Sequence, residues 1–145
     1  STPIDKRVVD VMQACYAFAG NPHASEHAFG WDAHAAIERA TSELAAVLSV
    51  DEDEIIYTSG ATESNNQAIL GIAENAPAAR KKILISSIEH ACIYSAARAA
   101  AKRYGCTIEI LPVDARGIVD LDYVSRSVGD DTLLISVMAV NNEIG

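Results

Sequence analysis

Three short polar segments of this 145-residue chain carry residue types from which a ligand site can be built. The first, residues 58–66 (TSGATESNN), leaves an apolar stretch and opens a helical pattern. Free backbone N–H groups and the helix dipole favour an anion there, and the Thr62 hydroxyl adds a donor. Gly60 permits a tight turn. The pattern suits a phosphate site, but on local chemistry alone an ordinary Ser–Gly–Thr helix cap is the favoured interpretation.

The other two segments, 86–90 (SSIEH) and 139–145 (AVNNEIG), also follow apolar stretches. His90 has the chemistry to stack on a ring or to move a proton near neutral pH, and it can equally cap the next helix. The amides of Asn141 and Asn142 suit a ligand oxygen, or they form Asx turns with their own backbone. Taken singly, the capping and turn interpretations are favoured.

A regular alternation of strand and helix patterns positions these segments. Strands are predicted at 54–58 (EIIYT), 82–86 (KILIS), 107–111 (TIEIL) and 132–137 (TLLISV), with amphipathic helices before and between them. This order predicts βαβ units and a mostly parallel sheet, hence an α/β fold. KILIS and LLISV are almost wholly apolar, which is typical of strands buried on both faces. Ligands of such sheets bind beyond the carboxyl ends of the strands, where the three segments lie.

The helices have recognisable boundaries in the sequence. Asp5 is predicted to cap the first helix, which Gly20-Asn21-Pro22 should stop. Further helices are predicted at about 31–48, 62–74 and 93–104, and a short one from an Asp120 cap to Val128. The acidic run 51–54 is most simply a solvated turn.

Composition excludes several classes of protein. Eleven basic against twenty acidic residues, a net charge of -9, disfavour a nucleic-acid groove. No apolar run reaches the roughly 20 residues of a membrane span, and no secretory leader is visible. The three cysteines, Cys15, Cys92 and Cys106, form no C-x-x-C pair, and the histidines form no H-E-x-x-H pattern. We therefore expect free, buried thiols in a reducing, cytoplasmic location, and no metal site.

Taken together, the segments resemble the cysteine desulfurases, pyridoxal-phosphate enzymes of fold-type I within the class V aminotransferase superfamily. The resemblance rests on TSGATESNN, on IEH at 88–90 and on VNNEIG at 140–145, joined by the loop 20–31 (GNPHASEHAFGW) and the opening Thr2-Pro3. The resemblance covers essentially the whole chain. The IEH and GNP segments look most like those of the housekeeping and nitrogen-fixation branch of the family. The resemblance implies a three-layer sandwich with a mostly parallel sheet, part of the large domain of these transferases.

The resemblance implies roles for five residues. Ala61 and Thr62 would cradle the phosphate of pyridoxal 5'-phosphate, and the catalytic His90 would stack on the pyridine ring and assist proton transfers. Asn142 would hydrogen-bond near the phenolic oxygen of the cofactor and near the substrate, and Asn21 would contact the substrate. The implied reaction converts L-cysteine to L-alanine and leaves sulfur as an enzyme cysteine persulfide. The implied partners are a second protomer and a sulfur acceptor, either an iron–sulfur scaffold or a tRNA-thiolation relay.

The chain departs from the family pattern in its nucleophiles. The family's Schiff-base lysine, pyridinium-binding aspartate and nucleophilic cysteine belong beyond residue 145, and no lysine here is a substitute. Lys81 and Lys82 precede a strand at the edge opposite the expected site, while Lys6 and Lys102 lie in helical patterns. We therefore expect residues 1–145 to be a partial pyridoxal-phosphate-binding domain that does not turn over cysteine alone.

Alternatives remain open at this point. A selenocysteine lyase or another class V aminotransferase would share the fold and the phosphate-binding helix. A non-catalytic, truncated module would instead bind a desulfurase or a second copy of itself. A flavodoxin-like module would use residues 58–62 for a flavin phosphate, but it leaves the NNEIG and GNP segments unexplained.

Overall fold

The computed structural model describes residues 3–17, 20–24 and 26–145. Thr2 and Ser25, which belong to the motifs above, lie outside the described residues. The chain divides into two compact units after Tyr57.

The first unit contains two helices and a short 3-10 helix. Helix α1 spans Lys6–Tyr16, α2 spans Ala28–Leu48, and the 3-10 helix spans Glu52–Glu54 in the acidic run predicted as a turn. Asp5 caps α1 as predicted, accepting a hydrogen bond of 2.8 Å from the Arg7 backbone N–H. The helix ends at Tyr16, earlier than the stop predicted at 20–22. Across the described ranges, no helix combines the length and the apolar character that a membrane crossing requires.

The strand predicted at 54–58 is wrong. Residues 55–58 adopt no regular secondary structure, and Ile56 and Tyr57 are 65% and 57% exposed. An apolar run becomes a strand only when a neighbouring strand satisfies its backbone groups. Within the described part of the first unit the segment instead continues from the 3-10 helix, and the Tyr57 hydroxyl lies 2.9 Å from the Thr41 hydroxyl of α2.

The second unit is built from three parallel strands and three helices. In chain order these are α3 (Ala61–Glu74), β1 (Lys82–Ser86), α4 (Ala91–Tyr104), β2 (Thr107–Leu111), α5 (Leu121–Ser127) and β3 (Thr132–Ser136). The strands lie in the order β2-β1-β3, and both pairings are parallel. The predicted α/β class and parallel sheet are confirmed, and the predicted KILIS and TIEIL strands have the observed bounds.

The core lies around the central strand β1. Ile83 and Ile85 pack with residues of α3 and α4 on one face, while Leu84 and Ser86 alternate to the other face, and all four are fully buried. The side chains of α3 and α4 at this interface are mostly small, which lets both helices approach the sheet. They are Ile69, Ala73, Cys92, Ile93, Ala96, Ala97 and Ala100.

The prediction that LLISV is buried on both faces is wrong for this chain. Strand β3 pairs with β1 on one side only, and Ile135 and Val137 are 42% and 49% exposed. Ile135 and Val137 lie on the same face of the sheet, and within the described residues this face is incompletely covered at β3. The apolar composition of the strand indicates that it could be buried, but burial of a face requires another layer packed on it. The cysteine prediction holds for Cys92 and Cys106, which are buried and free, but Cys15 is exposed.

Candidate functional site

A cavity of about 620 Å³ opens at the carboxyl-terminal edge of the sheet in the second unit. Three stretches line it: the start of α3, the loop between β1 and α4, and the residues that follow β3. Its volume falls in the range of roughly 300–1,000 Å³ that is usual for small-molecule sites. Four of the five predicted site residues line this one cavity: Ala61, Thr62, His90 and Asn142.

The start of α3 presents unsatisfied hydrogen-bond donors. Gly60 precedes the helix at φ +155°, a conformation suited to glycine, and no side chain caps the helix there. The carbonyl of Gly60 accepts from the N–H groups of Glu63 and Ser64, at 3.0 and 3.1 Å. Within the described residues, the N–H groups of Ala61 and Thr62 have no acceptor. These donors and the positive end of the helix dipole suit an anion.

A carboxylate beside this helix start is held by hydrogen bonds from Ser59, the residue before Gly60. The Glu63 carboxyl accepts from the backbone N–H and the hydroxyl of Ser59, at 2.7 and 2.5 Å. The hydrogen bond from the Ser59 hydroxyl, and to a lesser extent that from its backbone N–H, holds the pKa of Glu63 below its usual value. Glu63 therefore carries its charge in a hydrogen-bonded turn.

His90 is the N-cap of α4 as well as part of the cavity wall. Its Nδ1 accepts a hydrogen bond of 3.2 Å from the Cys92 backbone N–H. Because Nδ1 is the acceptor, the proton of the neutral ring belongs on Nε2. The capping interpretation of His90 is thus correct, and it leaves Nε2 as the ring nitrogen with a proton to donate.

The two neighbouring asparagines have different surroundings. The Asn141 side chain forms the predicted Asx turn, its Oδ1 accepting from the N–H groups of Glu143 and Ile144 at 2.7 and 3.1 Å. Asn142 lines the cavity, and its side-chain amide has no partner among the described residues. Sequence alone left turn and ligand roles open for both positions, and the structure separates them.

Asn21 lies in the first unit, so its placement is described only there. Its Oδ1 accepts a hydrogen bond of 3.0 Å from the His23 N–H, and its carbonyl accepts one of 2.9 Å from the Ala24 N–H. This turn packs against the start of α2, since a Cβ on Gly30 would lie 1.9 Å from the Ala24 carbonyl oxygen. His27 caps α2 through its Nδ1, which accepts a hydrogen bond of 3.2 Å from the Gly30 N–H.

Several cavity residues were not identified from the sequence as site residues. Glu89 accepts a hydrogen bond of 3.0 Å from the Ser136 hydroxyl, which joins the loop after β1 to the end of β3. Cys92 lies at the cavity wall, where the Asn65 amide donates to its sulfur at 3.4 Å. A polar residue at the last position of an apolar strand, as at Ser136, is the sequence feature that would have indicated one of them.

No lysine is among the described residues that line the cavity. Lys82 begins β1 at the amino-terminal edge of the sheet, where its Nζ lies 3.0 Å from the Asp131 carboxylate. Lys102 is in the last turn of α4, and Lys6 is in the first turn of α1. In the part of the chain that the structure describes, no cluster of three potential metal ligands occurs.

Several known proteins are similar to this chain over its whole length. A model of the aminotransferase class-V family matches residues 1–145. The chain is 47% identical to the cysteine desulfurase IscS of Rickettsia prowazekii, over 100% of this chain and 35% of that protein. It is 44% identical to the mitochondrial cysteine desulfurase of Candida maltosa, over 100% of this chain and 30% of that protein. A solved NifS-like protein superposes with a TM-score of 0.89 at 36% identity, over 100% of this chain and 40% of that one.

These similarities agree with the sequence motifs and with the fold. The chain spans about a third of the length of the curated relatives it matches. The predicted resemblance to cysteine desulfurases and the predicted fold class are confirmed. Since the family model matches every residue from 1 to 145, the chain belongs to the aminotransferase class-V family.

Proposed function

We propose that this chain is the amino-terminal part of the large domain of a pyridoxal-phosphate-dependent cysteine desulfurase. One observation carries the proposal: an uncapped helix start, an imidazole and a free amide line a single cavity at the carboxyl-terminal edge of a parallel sheet. Class V aminotransferases and cysteine desulfurases are pyridoxal-phosphate enzymes. The similarity to two named cysteine desulfurases supports this activity over the alternatives of a lyase for selenocysteine, a flavodoxin-like module or a non-catalytic module.

The residues present fit this cofactor. A phosphate monoester needs several N–H or O–H donors and few competing carboxylates, and the start of α3 offers the N–H groups of Ala61 and Thr62 and the Thr62 hydroxyl. The two carboxylates in the cavity wall, those of Glu63 and Glu89, are engaged by serine donors. The flat imidazole of His90 is suited to packing against a planar heteroaromatic ring.

Each residue has a defined task in the proposed reaction. When bound, pyridoxal phosphate supplies an electron sink for bond cleavage at the amino acid. Ala61 and Thr62 bind the phosphate, which anchors the ligand. His90 would face the cofactor ring and would exchange a proton at Nε2, because its Nδ1 accepts from the Cys92 N–H. The Asn142 amide, both donor and acceptor, orients the ring oxygen and the substrate. For Asn21, of the first unit, a substrate contact is proposed from the resemblance to cysteine desulfurases alone.

L-cysteine is the proposed substrate, and an iron–sulfur scaffold or a tRNA-thiolation relay the proposed acceptor of its sulfur. A homodimer is proposed from the similarity to cysteine desulfurases. A reducing, cytoplasmic location is supported by three cysteines that are all free.

The test of the activity uses the full-length protein as its source makes it. Incubation with pyridoxal phosphate and L-cysteine should release alanine in step with protein-bound sulfane sulfur. Cysteine should be consumed in preference to selenocysteine under matched conditions. A protein that binds no pyridoxal phosphate, or that releases alanine without sulfane sulfur, contradicts the proposal.

The anion site is tested separately by Thr62→Val, which removes the hydroxyl and keeps the shape. The affinity for pyridoxal phosphate should fall by roughly tenfold or more, the range for one hydrogen bond to a charged group, while the affinity for pyridoxal should hardly change. Thr107→Val, at the start of β2 far from the cavity lining, is the matched control. An unchanged ratio of the two affinities in Thr62→Val contradicts the phosphate assignment.

A further inference from the structure

Asn141 connects the two loops that carry His90 and Asn142. Its Nδ2 donates to the carbonyl oxygen of Ile88 at 2.9 Å, two residues before His90. The same nitrogen lies 3.3 Å from the sulfur of Met138, a residue of the cavity wall. One half-buried side chain thus touches the loop after β1, the stretch after β3 and the wall of the cavity.

The other half of the Asn141 amide holds its own loop in place. Oδ1 accepts from the N–H groups of Glu143 and Ile144, and the Asn141 carbonyl accepts from the Gly145 N–H at 3.0 Å. These bonds stiffen the turn in which Asn142 lies. Asparagine suits the position because it combines a donor and an acceptor on a short side chain, whereas aspartate offers acceptors only.

A few hydrogen bonds to neighbouring strands hold the loop that carries His90. Ser87 donates to the Leu111 carbonyl of β2 at 2.9 Å, and Glu89 accepts from Ser136 of β3. The Ile88 carbonyl lies between these two anchors, and Asn141 is its donor. Without that donor, a half-buried carbonyl loses its partner immediately before the N-cap of α4.

We infer that Asn141 is a positioning residue, which ties the loop of His90 to the loop of Asn142 so that both side chains line one cavity. The inference rests on the proposed function only for the identity of the ligand, pyridoxal 5'-phosphate. Asn141 is not among the residues that line that cavity; it lines a second cavity of about 420 Å³, which shares Glu89, His90 and Asn142 with the first. Both ends of its side-chain amide are already engaged, by Ile88 and by Glu143 and Ile144, so we assign it a positioning role through these neighbours.

The test is Asn141→Asp in the full-length protein. Aspartate keeps the acceptor for Glu143 and Ile144 but loses the donor to Ile88, and its charge faces a carbonyl oxygen. The affinities for pyridoxal phosphate and for pyridoxal should both fall about tenfold, because the contacts to the ring are disturbed and those to the phosphate are kept. Thr62→Val, in contrast, should change the ratio of the two affinities.

Hydrogen exchange supplies a readout that needs no ligand. In Asn141→Asp, the Glu89 amide, bonded to the Ser86 carbonyl, and the Cys92 amide, bonded to His90 Nδ1, should exchange at least fivefold faster. The amides of Ile83 and Leu84 in β1 should exchange as in the unmodified protein. Asn75→Asp is the matched control, since it removes a similar bond of 2.9 Å to the Gly71 carbonyl at the far end of α3.

The outcomes separate this inference from the proposed function. Exchange at Glu89 and Cys92 that matches the Asn75→Asp control overturns the inference, as does an equal acceleration at β1, which indicates general destabilisation. If the unmodified protein binds no pyridoxal phosphate, the proposed function fails, and the exchange data alone then decide whether Asn141 positions His90. An affinity for pyridoxal phosphate that is unchanged in Asn141→Asp also overturns the inference.

Discussion

His90 has a structural and a proposed chemical task, and two substitutions separate them. His90→Asn keeps a side chain suited to the N-cap of α4, so the free energy of unfolding should stay within about 0.5 kcal/mol. His90→Ala removes the cap and should cost about 0.5–2 kcal/mol. Both should lower cysteine turnover by the full-length protein by roughly 10²–10⁴-fold, because both remove Nε2.

The measurements for His90 are urea unfolding and alanine release. His34→Asn, at an exposed position of α2, serves as the control and should leave turnover unchanged. A His90→Asn protein that turns over cysteine at the normal rate would restrict His90 to its capping role.

The charge of Glu63 predicts a pH dependence of stability. Because Ser59 lowers the pKa of Glu63 in the folded protein, its contribution is present above the usual glutamate value and is lost as the pH falls through the folded pKa. Between pH 7 and pH 3 the unmodified protein should therefore lose more stability than Glu63→Gln. Ser59→Ala, which removes one of the two donors, should show an intermediate loss. Identical acid profiles of urea unfolding for all three proteins would contradict this account.

At the scale of elements, the contact between α3 and α4 positions the cavity, because both helices begin at its wall. Ala97 of α4 is fully buried in the core cluster that α3, α4 and β1 share, so Ala97→Leu should lower the free energy of unfolding by about 1–3 kcal/mol through overpacking. Ala68→Leu, on the exposed side of α3, is the matched control and should stay within about 0.5 kcal/mol. Denaturant unfolding measures both, and equal effects would mean that the contact tolerates the added volume.

The three observed strands and the one wrongly predicted strand show what local sequence patterns can predict. β1 and β2 have the predicted bounds because their apolar runs meet partners in the sheet. The run 54–58 is similarly rich in apolar residues but has no adjacent strand within the described part of its unit, and it forms none. Strand formation depends on a neighbour that periodicity cannot reveal, whereas the helices α1 to α5 satisfy their own backbones and were largely predictable.

At the scale of the whole molecule, the proposal that residues 1–145 are part of a larger enzyme predicts two results. The intact mass of the protein from its source should be well above the 15.4 kDa of this chain. The purified chain of 145 residues, given pyridoxal phosphate and L-cysteine, should release no more alanine than free pyridoxal phosphate does. A source protein of 15.4 kDa, or alanine release above that background, would contradict the proposal.

The sequence by itself determined the α/β class, the helix positions and the three segments of the candidate site. Periodicity, helix caps and glycine turns are local properties, so TSGATESNN already indicated a helix start with free donors. Only the tertiary structure decided which polar residues share the cavity, that Glu89 pairs with Ser136, and that Asn141 joins two loops while Asn142 lines the site. These pairings join residues about 50 positions apart, and the folding of the sheet, rather than any local pattern, brings them together.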